Sequence, residues 1–173
     1  VNVLPYNKES TPQDLEQAVI NADWIVHLAG VNRPLNDQEF IDGNTTLTQQ
    51  ITDILKSTKK TTPIILSSSI QAERDNAYGQ SKLGGEQALL ELNQAQGNPV
   101  YICRLANVFG KWSRPNYNSA VATFCYNVAN GLPIQINDPS AMIRLVYVDD
   151  VVETFWNILQ GSFIPSQQFL IEP

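Results

Sequence analysis

Tyr78 and Lys82 have the spacing at which two side chains can act together in proton transfer. Residues four apart in a helix lie on one face, a single turn from each other. An ammonium group beside a phenol favours the phenolate, so Lys82 is expected to lower the pKa of Tyr78 from its usual value near ~10. Tyr78 is then a candidate general acid or base near neutral pH. Taken alone, the spacing is weak evidence, because such pairs occur by chance on exposed helix faces.

The elements predicted around this pair indicate a parallel sheet covered by helices on both faces. Apolar runs that predict buried strands lie at 24–30, 63–66 and 100–103. Three helical patterns are present: one begins at a cap at Thr11, a second covers about 37–57, and a third covers about 78–94. In an open sheet of this kind, ligands bind at the carboxyl ends of the strands. Gly30 and Ser69, which end or follow the first two strands, are therefore expected near Tyr78.

The pattern changes after Gly110, where a polar loop at 111–118 precedes a helix over about 119–130. A short strand is predicted at 132–136, and a strand at 145–148 leads into a helix over 149–159. Asn118 is the predicted cap of the helix at 119–130, and such a helix start favours anions. Arg114 is a candidate phosphate ligand, because a guanidinium binds phosphate bidentately. The alternatives are ordinary capping for Asn118 and a solvated loop position for Arg114.

The composition excludes several kinds of partner. The chain has 173 residues and a formal net charge of −6, which argues against nucleic-acid binding. No apolar run approaches the ~18 residues of a membrane span, so a soluble, cytoplasmic protein is expected. No metal site is expected, because His27 is the single histidine and the two cysteines lack partners at ligand spacing. Cys103 and Cys125 are both expected to be buried thiols.

The order of these motifs resembles the extended short-chain dehydrogenases/reductases, the NAD-dependent epimerase/dehydratase family. The motifs are Val26-His27-Leu28-Ala29-Gly30, then Asn44, Ser67-Ser68-Ser69, Tyr78-x-x-x-Lys82, and Arg104-x-x-Asn107-Val108-Phe109-Gly110. The stretches HLAGVNRP, SSSIQA, NVFGKW, RPNYNS and GLPIQINDPS are similar to capsular-polysaccharide reductases. Those enzymes act on UDP-4-keto-6-deoxy-N-acetylhexosamines, so the resemblance implies a reduction of that substrate class in capsular or surface polysaccharide synthesis.

The resemblance also implies roles for single residues. Tyr78 donates a proton to the sugar oxygen, Lys82 holds the nicotinamide ribose, and Ser69 polarises the substrate. The implied cofactor is NADPH or NADH, and the residues expected to bind it are Leu28, Ala29, Gly30, Asn44, Tyr78, Lys82 and Asn107. The residues expected to contact the UDP-sugar are Ser69, Asn107, Arg114 and Asn118. A homodimer is expected as well.

The fold implied by the resemblance is a Rossmann-like, doubly wound parallel sheet of the α/β class with a small substrate-binding lobe. Residues 1–110 are expected to form the cofactor-binding core, 111–142 the lobe, and 143–173 the return to the core. The glycine-rich turn G-x-x-G-x-x-G of the family does not occur in the sequence. We therefore expect the first strand-helix units of the family fold to be missing from this chain, and its cofactor site to be incomplete. The capsular reductases carry a further C-terminal cupin domain, which is not expected within residues 1–173.

Two other functions remain open from the sequence. One is a nucleotide-sugar 4-epimerase or dehydratase of the same superfamily, although Ile70 and Gln71 stand where a dehydratase commonly has acidic residues. The other is a non-catalytic module with the same fold. The set of Ser69, Tyr78 and Lys82 argues against the second alternative.

Overall fold

The computed structural model describes residues 1–165 and 167–171, and these fall into two units. The first unit comprises Val1–Arg104 together with Ile164–Phe169. The second comprises Leu105–Phe163 together with the residues that follow Phe169. The boundaries expected at 110 and 142, between a cofactor-binding core and a substrate-binding lobe, remain predictions, because the two units are defined by packing alone.

Helix α1 (Pro12–Asn21) begins where the sequence predicts it. The Thr11 hydroxyl accepts a hydrogen bond from the Asp14 amide at 3.2 Å, and the Asp14 carboxylate accepts one from the Thr11 amide at 2.7 Å. This reciprocal pair satisfies two amides that lack helical partners. Pro12 occupies the first turn, where its missing N–H costs nothing. The prediction of a cap at Thr11 is confirmed.

Strand β1 (Ile25–His27) is shorter than the apolar run at 24–30. It pairs in parallel with β2 (Ile64–Ser69), with His27 opposite Leu66. Between these strands lies a helical stretch made of α2 (Gln38–Phe40), a π-helical segment (Ile41–Thr46) and α3 (Leu47–Thr58). The single helix predicted at 37–57 is thus present, but it is wound more widely in its first half.

A four-residue 3-10 turn (Ile70–Glu73) joins β2 to the long helix α4 (Ala77–Gln96). α4 ends at Gly97, whose φ of 78° is the left-handed conformation that glycine adopts without strain. β3 (Val100–Leu105) follows, and the strand order of the sheet is β1-β2-β3-β6. The core of this unit consists of apolar side chains from α1, α3, β2, α4 and β3: Leu15, Val19, Ile51, Leu55, Ile64, Leu66, Leu89, Leu92 and Val100. The α/β class is confirmed.

The second unit contains β4 (Asn107–Phe109), α5 (Ala120–Ala129), β5 (Leu145–Tyr147) and α6 (Val148–Leu159). β4 and β5 pair in parallel, with Val108 opposite Val146. The chain then returns to the four-stranded sheet as β6 (Gln167–Ile171). Within the described residues, no helix is both long enough and apolar enough to cross a membrane.

Three predictions for the second unit are wrong. Ser119, not Asn118, caps α5, since its hydroxyl accepts from the Ala122 amide at 3.2 Å. The segment 132–136 forms no strand, because Asn127 holds it against α5: the Leu132 amide donates to the Asn127 carbonyl and the Asn127 side chain donates to the Pro133 carbonyl. Cys103 is buried as expected, but Cys125 is exposed on α5.

Candidate functional site

Ser69 and Tyr78 meet at the carboxyl end of β2. Ser69 is the last residue of the strand and is buried, with 8% of its surface exposed. Its hydroxyl accepts a hydrogen bond from the Gln71 amide at 3.2 Å and is hydrogen-bonded to the phenol of Tyr78. Tyr78 lies in the first turn of α4, which is separated from the 3-10 turn by three residues. The short connection between β2 and α4 therefore brings the two hydroxyl groups together, as the sequence predicts.

Gly79 allows α4 to begin this close to the 3-10 turn. A Cβ at this position would lie 2.3 Å from the carbonyl oxygen of Gln71 and 2.4 Å from that of Arg74. Both obstacles are backbone atoms, which cannot rotate away. Glycine after Tyr78 thus fixes where the tyrosine enters the site.

Lys82 lies one turn further along α4, and its side chain is almost fully buried. Its ammonium donates a hydrogen bond to the carbonyl oxygen of Ser67 at 3.0 Å. Burial lowers the pKa of Lys82 from 10.5 to about 8, and the nearby Glu86 carboxylate opposes part of that shift. The lysine is therefore a cation held against β2 that can lose its proton at mildly alkaline pH.

The predicted effect of Lys82 on Tyr78 is wrong for this structure. Burial raises the pKa of Tyr78 above 10.0, and only the hydrogen bond from Ser69 opposes the rise. Burial disfavours the phenolate more strongly than a positive charge at a distance can stabilise it. The Lys82 ammonium is such a charge, because it is directed to the Ser67 carbonyl. The ring of Phe40, 5.4 Å away between centroids, contributes to the apolar surroundings. Tyr78 therefore carries its proton at neutral pH and is prepared to act as an acid.

Asn44 connects the loop after β1 to α4. It lies in the π-helical segment and is buried, with 4% of its surface exposed. Its side-chain oxygen accepts from the Val31 amide at 2.9 Å, while its nitrogen donates to the Val31 carbonyl at 3.0 Å and to the Ser81 hydroxyl at 2.9 Å. Asparagine is unfavourable in mid-helix, but three hydrogen bonds from its buried side chain compensate for its low propensity here.

Gly30 lies against both Asn44 and Lys82. A Cβ at Gly30 would come within 2.8 Å of the Asn44 side-chain oxygen and 3.2 Å of the Lys82 nitrogen. The close backbone approach expected at Gly30 is therefore present, although its immediate partners are side chains of this chain. Leu28, Ala29 and Gly30 are exposed at the carboxyl end of β1.

His27 is a buried member of the sheet. Its Nε2 lies 3.0 Å from the Thr48 hydroxyl, which itself donates to the Asn44 carbonyl at 2.7 Å. A hydroxyl has one hydrogen to donate, so His27 Nε2 must be the donor to Thr48. Burial, together with the charge of Lys82, lowers the pKa of His27 to about 4. The imidazole is thus neutral at neutral pH and adds no second cation beside Lys82.

The remaining predicted site residues, Asn107, Arg114 and Asn118, lie in the second unit. Asn107 is exposed at the start of β4, where its amide and its side-chain nitrogen both donate to the Arg144 carbonyl, at 3.1 and 3.0 Å. Arg114 is exposed, with its guanidinium 5.9 Å from the centre of the Tyr117 ring. Asn118 is exposed next to the true cap, Ser119. Their roles toward substrate or cofactor remain predictions.

Sequence reasoning missed Glu86, Ser81 and Phe40. Glu86 follows Lys82 at the same spacing at which Lys82 follows Tyr78, so one helix face carries all three residues. A charged residue on a face that must pack against the sheet was the available signal for Glu86. Ser81 and Phe40 gave no such signal, because their roles depend on contacts between distant parts of the chain.

A comparison with protein families decides the classification. Residues 7–168 match the family described as the NAD dependent epimerase/dehydratase family. The chain belongs to this family. The resemblance noted in the sequence is therefore confirmed over nearly the whole chain.

Two relatives share about half of the chain's residues. One is the UDP-2-acetamido-2,6-beta-L-arabino-hexul-4-ose reductase of Pseudomonas aeruginosa, 49% identical over all 173 residues of this chain and over 46% of its own length. The other is the crystal structure of the capsular polysaccharide assembling protein CapF from Staphylococcus aureus, with 47% identity and a TM-score of 0.80. That match covers 95% of this chain and 45% of CapF. The chain thus spans about half the length of these relatives.

A more distant structure shows the same fold. The UDP-glucuronic acid 4-epimerase from Bacillus cereus, solved with UDP-glucuronic acid and NAD, has a TM-score of 0.82 at 20% identity. The match covers 94% of this chain and 58% of the epimerase. At this identity the comparison supports the Rossmann-like fold and carries no information on substrate.

The first unit has features that fit the nicotinamide end of the family's cofactor. Leu28, Ala29 and Gly30 expose backbone at the carboxyl end of β1, and Gly30 adds no Cβ beside Lys82. Lys82 supplies a cation and Tyr78 a hydroxyl group from the adjoining helix. These residues can hold a ribose and a carboxamide, whereas the sequence offers no glycine-rich turn for the pyrophosphate.

Proposed function

We propose that this chain forms the proton-donating site of an NADH- or NADPH-dependent reductase of a UDP-4-keto-6-deoxy-N-acetylhexosamine. The reaction would serve capsular or surface polysaccharide synthesis. The observation that carries the proposal is the hydrogen bond between Ser69 and a protonated Tyr78, one turn from a buried Lys82. The two relatives near 50% identity, a UDP-sugar reductase and a capsular polysaccharide assembling protein, support the substrate class and the setting.

The chemistry divides between cofactor and protein. When bound, a reduced nicotinamide supplies a hydride to the carbonyl carbon of the sugar. Tyr78 donates its phenolic proton to the carbonyl oxygen, so that the C=O double bond becomes a C–O single bond and one new C–H and one new O–H bond form. Ser69 donates a hydrogen bond to the same oxygen and stabilises the charge that develops on it. The tyrosinate left behind regains its proton from solvent.

Lys82 holds this arrangement in its reactive form. Its ammonium donates to the Ser67 carbonyl, which holds it beside the end of β2, and offers a hydrogen bond to a ribose hydroxyl. Asn44 keeps the loop of Gly30 and Val31 at a fixed distance from α4 through its bonds to Val31 and Ser81. The backbone of this loop, which would contact the cofactor, is thereby held at a fixed position relative to Tyr78.

The second unit is proposed to bind the nucleotide part of the substrate. Arg114 and Asn118 would contact the diphosphate from a lobe at 111–142, and Asn107 would contact both substrate and cofactor. An exposed guanidinium and exposed amide groups can make those bonds. The cytoplasmic location and the homodimer expected from the sequence stay predictions.

The experiment supplies the complete protein with a UDP-4-keto-6-deoxy-N-acetylhexosamine and with NADH or NADPH in separate reactions. The proposal predicts one reduced nicotinamide oxidised for each sugar that gains two hydrogens, as measured by absorbance and mass spectrometry. Interconversion of sugar isomers without net oxidation of the cofactor would identify an epimerase instead. Binding of the sugar nucleotide with no conversion would support a non-catalytic module.

A further inference from the structure

Glu86 is a completely buried carboxylate on the helix that carries Tyr78 and Lys82. It has 0% of its surface exposed and lies on α4, one turn after Lys82. Arg104 from β3 donates to both of its oxygens, from Nε at 3.0 Å and from Nη2 at 2.7 Å. The Ser68 hydroxyl donates at 2.5 Å, and the Gln168 side chain donates at 3.1 Å. The carboxylate thus has four hydrogen bonds from three different strands.

The bond to Ser68 links Glu86 to the reacting groups. Ser68 precedes Ser69 in β2, and Ser67 on its other side provides the carbonyl that holds Lys82. The carboxyl end of β2 is therefore connected to α4 at two places: the Lys82 ammonium bonds the Ser67 carbonyl, and the Glu86 carboxylate bonds the Ser68 hydroxyl. A shift of Ser68 would move Ser69 relative to Tyr78.

The negative charge of Glu86 also acts electrostatically on Lys82. Burial favours the neutral amine of Lys82, and the Glu86 carboxylate is the group that opposes this effect. The other groups near the lysine are His27 on β1, which is neutral, Tyr78 on α4, which is protonated, and the uncharged Asn44 in the π-helical segment. Arg104 on β3 forms ion pairs with Glu73 on the 3-10 turn and with Glu86.

We propose that Glu86 is a positioning residue of this site: braced by Arg104, it holds the Ser68–Ser69 end of β2 against α4 and places its carboxylate one helical turn from Lys82. The inference rests on the proposed function for its effect on turnover. Its effect on Lys82 itself does not depend on any reaction.

A solely structural role would look different. A buried ion pair that serves only stability can be exchanged with no effect beyond that on folding. A carboxylate that also sets the charge of Lys82 must alter the protonation of a second residue when it is neutralised. The pKa of Lys82 therefore separates the two roles.

The experiment compares Glu86→Gln, Glu86→Asp and the control Leu92→Ala in the complete protein. Leu92 is fully buried on the same helix and belongs to the core, so its truncation destabilises α4 without touching the network. The Lys82 pKa is measured from the ¹³Cε resonance of labelled lysine, assigned with Lys82→Met. The pH dependence of kcat/KM is measured alongside.

We expect Glu86→Gln to lower the pKa of Lys82 by about one unit or more. The alkaline limb of kcat/KM should move to lower pH by the same amount. Glu86→Asp should keep both near the native position, and Leu92→Ala should leave both in place despite lower stability. An unchanged Lys82 pKa in Glu86→Gln, or an equal shift in Leu92→Ala, would overturn the inference.

Ser68→Ala provides a second test if Glu86→Gln does not fold. It keeps the charge and removes the tie to β2, so turnover should fall about tenfold while the Lys82 pKa stays. Native turnover in Ser68→Ala would contradict the positioning of β2. Should the native protein show no reductase activity, the proposed function fails, whereas the Lys82 titration still decides the role of Glu86.

Discussion

The Ser69 hydroxyl is hydrogen-bonded to the Tyr78 phenol across a connection that contains a single 3-10 turn. This bond lowers the pKa of Tyr78 while burial raises it, and burial has the larger effect. The phenol is therefore protonated but held in place by a partner that can also bond a substrate oxygen. Such a pair suits the donation of a proton to a carbonyl group.

Ser69→Ala should reduce turnover by about tenfold to a hundredfold, because one donor to the developing oxyanion is lost. The pKa of Tyr78 should rise further, since the bond that lowers it is gone. Ser69→Thr, which keeps the hydroxyl, should retain much of the activity. Ser57→Ala is the matched control, because Ser57 is exposed and its hydroxyl donates to the Ile54 carbonyl within its own helix, α3. Full activity in Ser69→Ala would remove Ser69 from the mechanism.

His27 should make the free energy of unfolding depend on pH. Its pKa is about 4 in the folded chain and near the ordinary 6.5 when unfolded, so only the unfolded state binds a proton between these values. Stability should therefore fall as pH drops from about 6.5 toward 4, by at most about 1.4 kcal/mol per pH unit. Urea unfolding of the complete protein between pH 5 and 7 measures this slope. His27→Asn should flatten it, and an equally steep slope in that variant would show that other groups cause it.

Gly30→Ala should destabilise the protein by about 1–3 kcal/mol, because the new methyl group would overlap the Asn44 side chain. Asn44 cannot move without losing its bonds to Val31 and Ser81, so cofactor affinity should fall as well. Denaturant unfolding and calorimetric titration with the nicotinamide cofactor measure the two effects. Gly97→Asn is the control, since Gly97 has φ of 78° with nothing nearby and asparagine tolerates that conformation. Native stability and affinity in Gly30→Ala would contradict the close approach.

The sequence was sufficient for the order of elements and for the residues at the strand ends. Thr11 with Pro12 marks a helix start, and Gly97 marks a helix end, because capping depends on neighbours in the chain. The four-residue spacing of Tyr78 and Lys82 placed both on one face for the same reason. Local rules therefore predicted which groups could meet.

Properties that depend on burial and on distant partners could not be predicted in this way. The pKa of Tyr78 has the opposite direction to that predicted, because the sequence does not show that Lys82 is bound by the Ser67 carbonyl. The strand predicted at 132–136 is absent because Asn127 provides competing bonds. Asn44 is stable in mid-helix because its side chain is hydrogen-bonded to Val31 and Ser81, which are distant in the sequence.

Tyr78→Phe tests the central claim most directly, since it removes one oxygen atom and the proton that the mechanism needs. In the complete protein, turnover of the UDP-4-keto sugar should fall by about a hundredfold or more, because acid-base assistance contributes roughly 10² to 10⁴. KM should change little, and Tyr6→Phe, a tyrosine packed against the core, should behave like the native protein. Turnover in Tyr78→Phe equal to that of the native protein would contradict the assignment of Tyr78 as the proton donor.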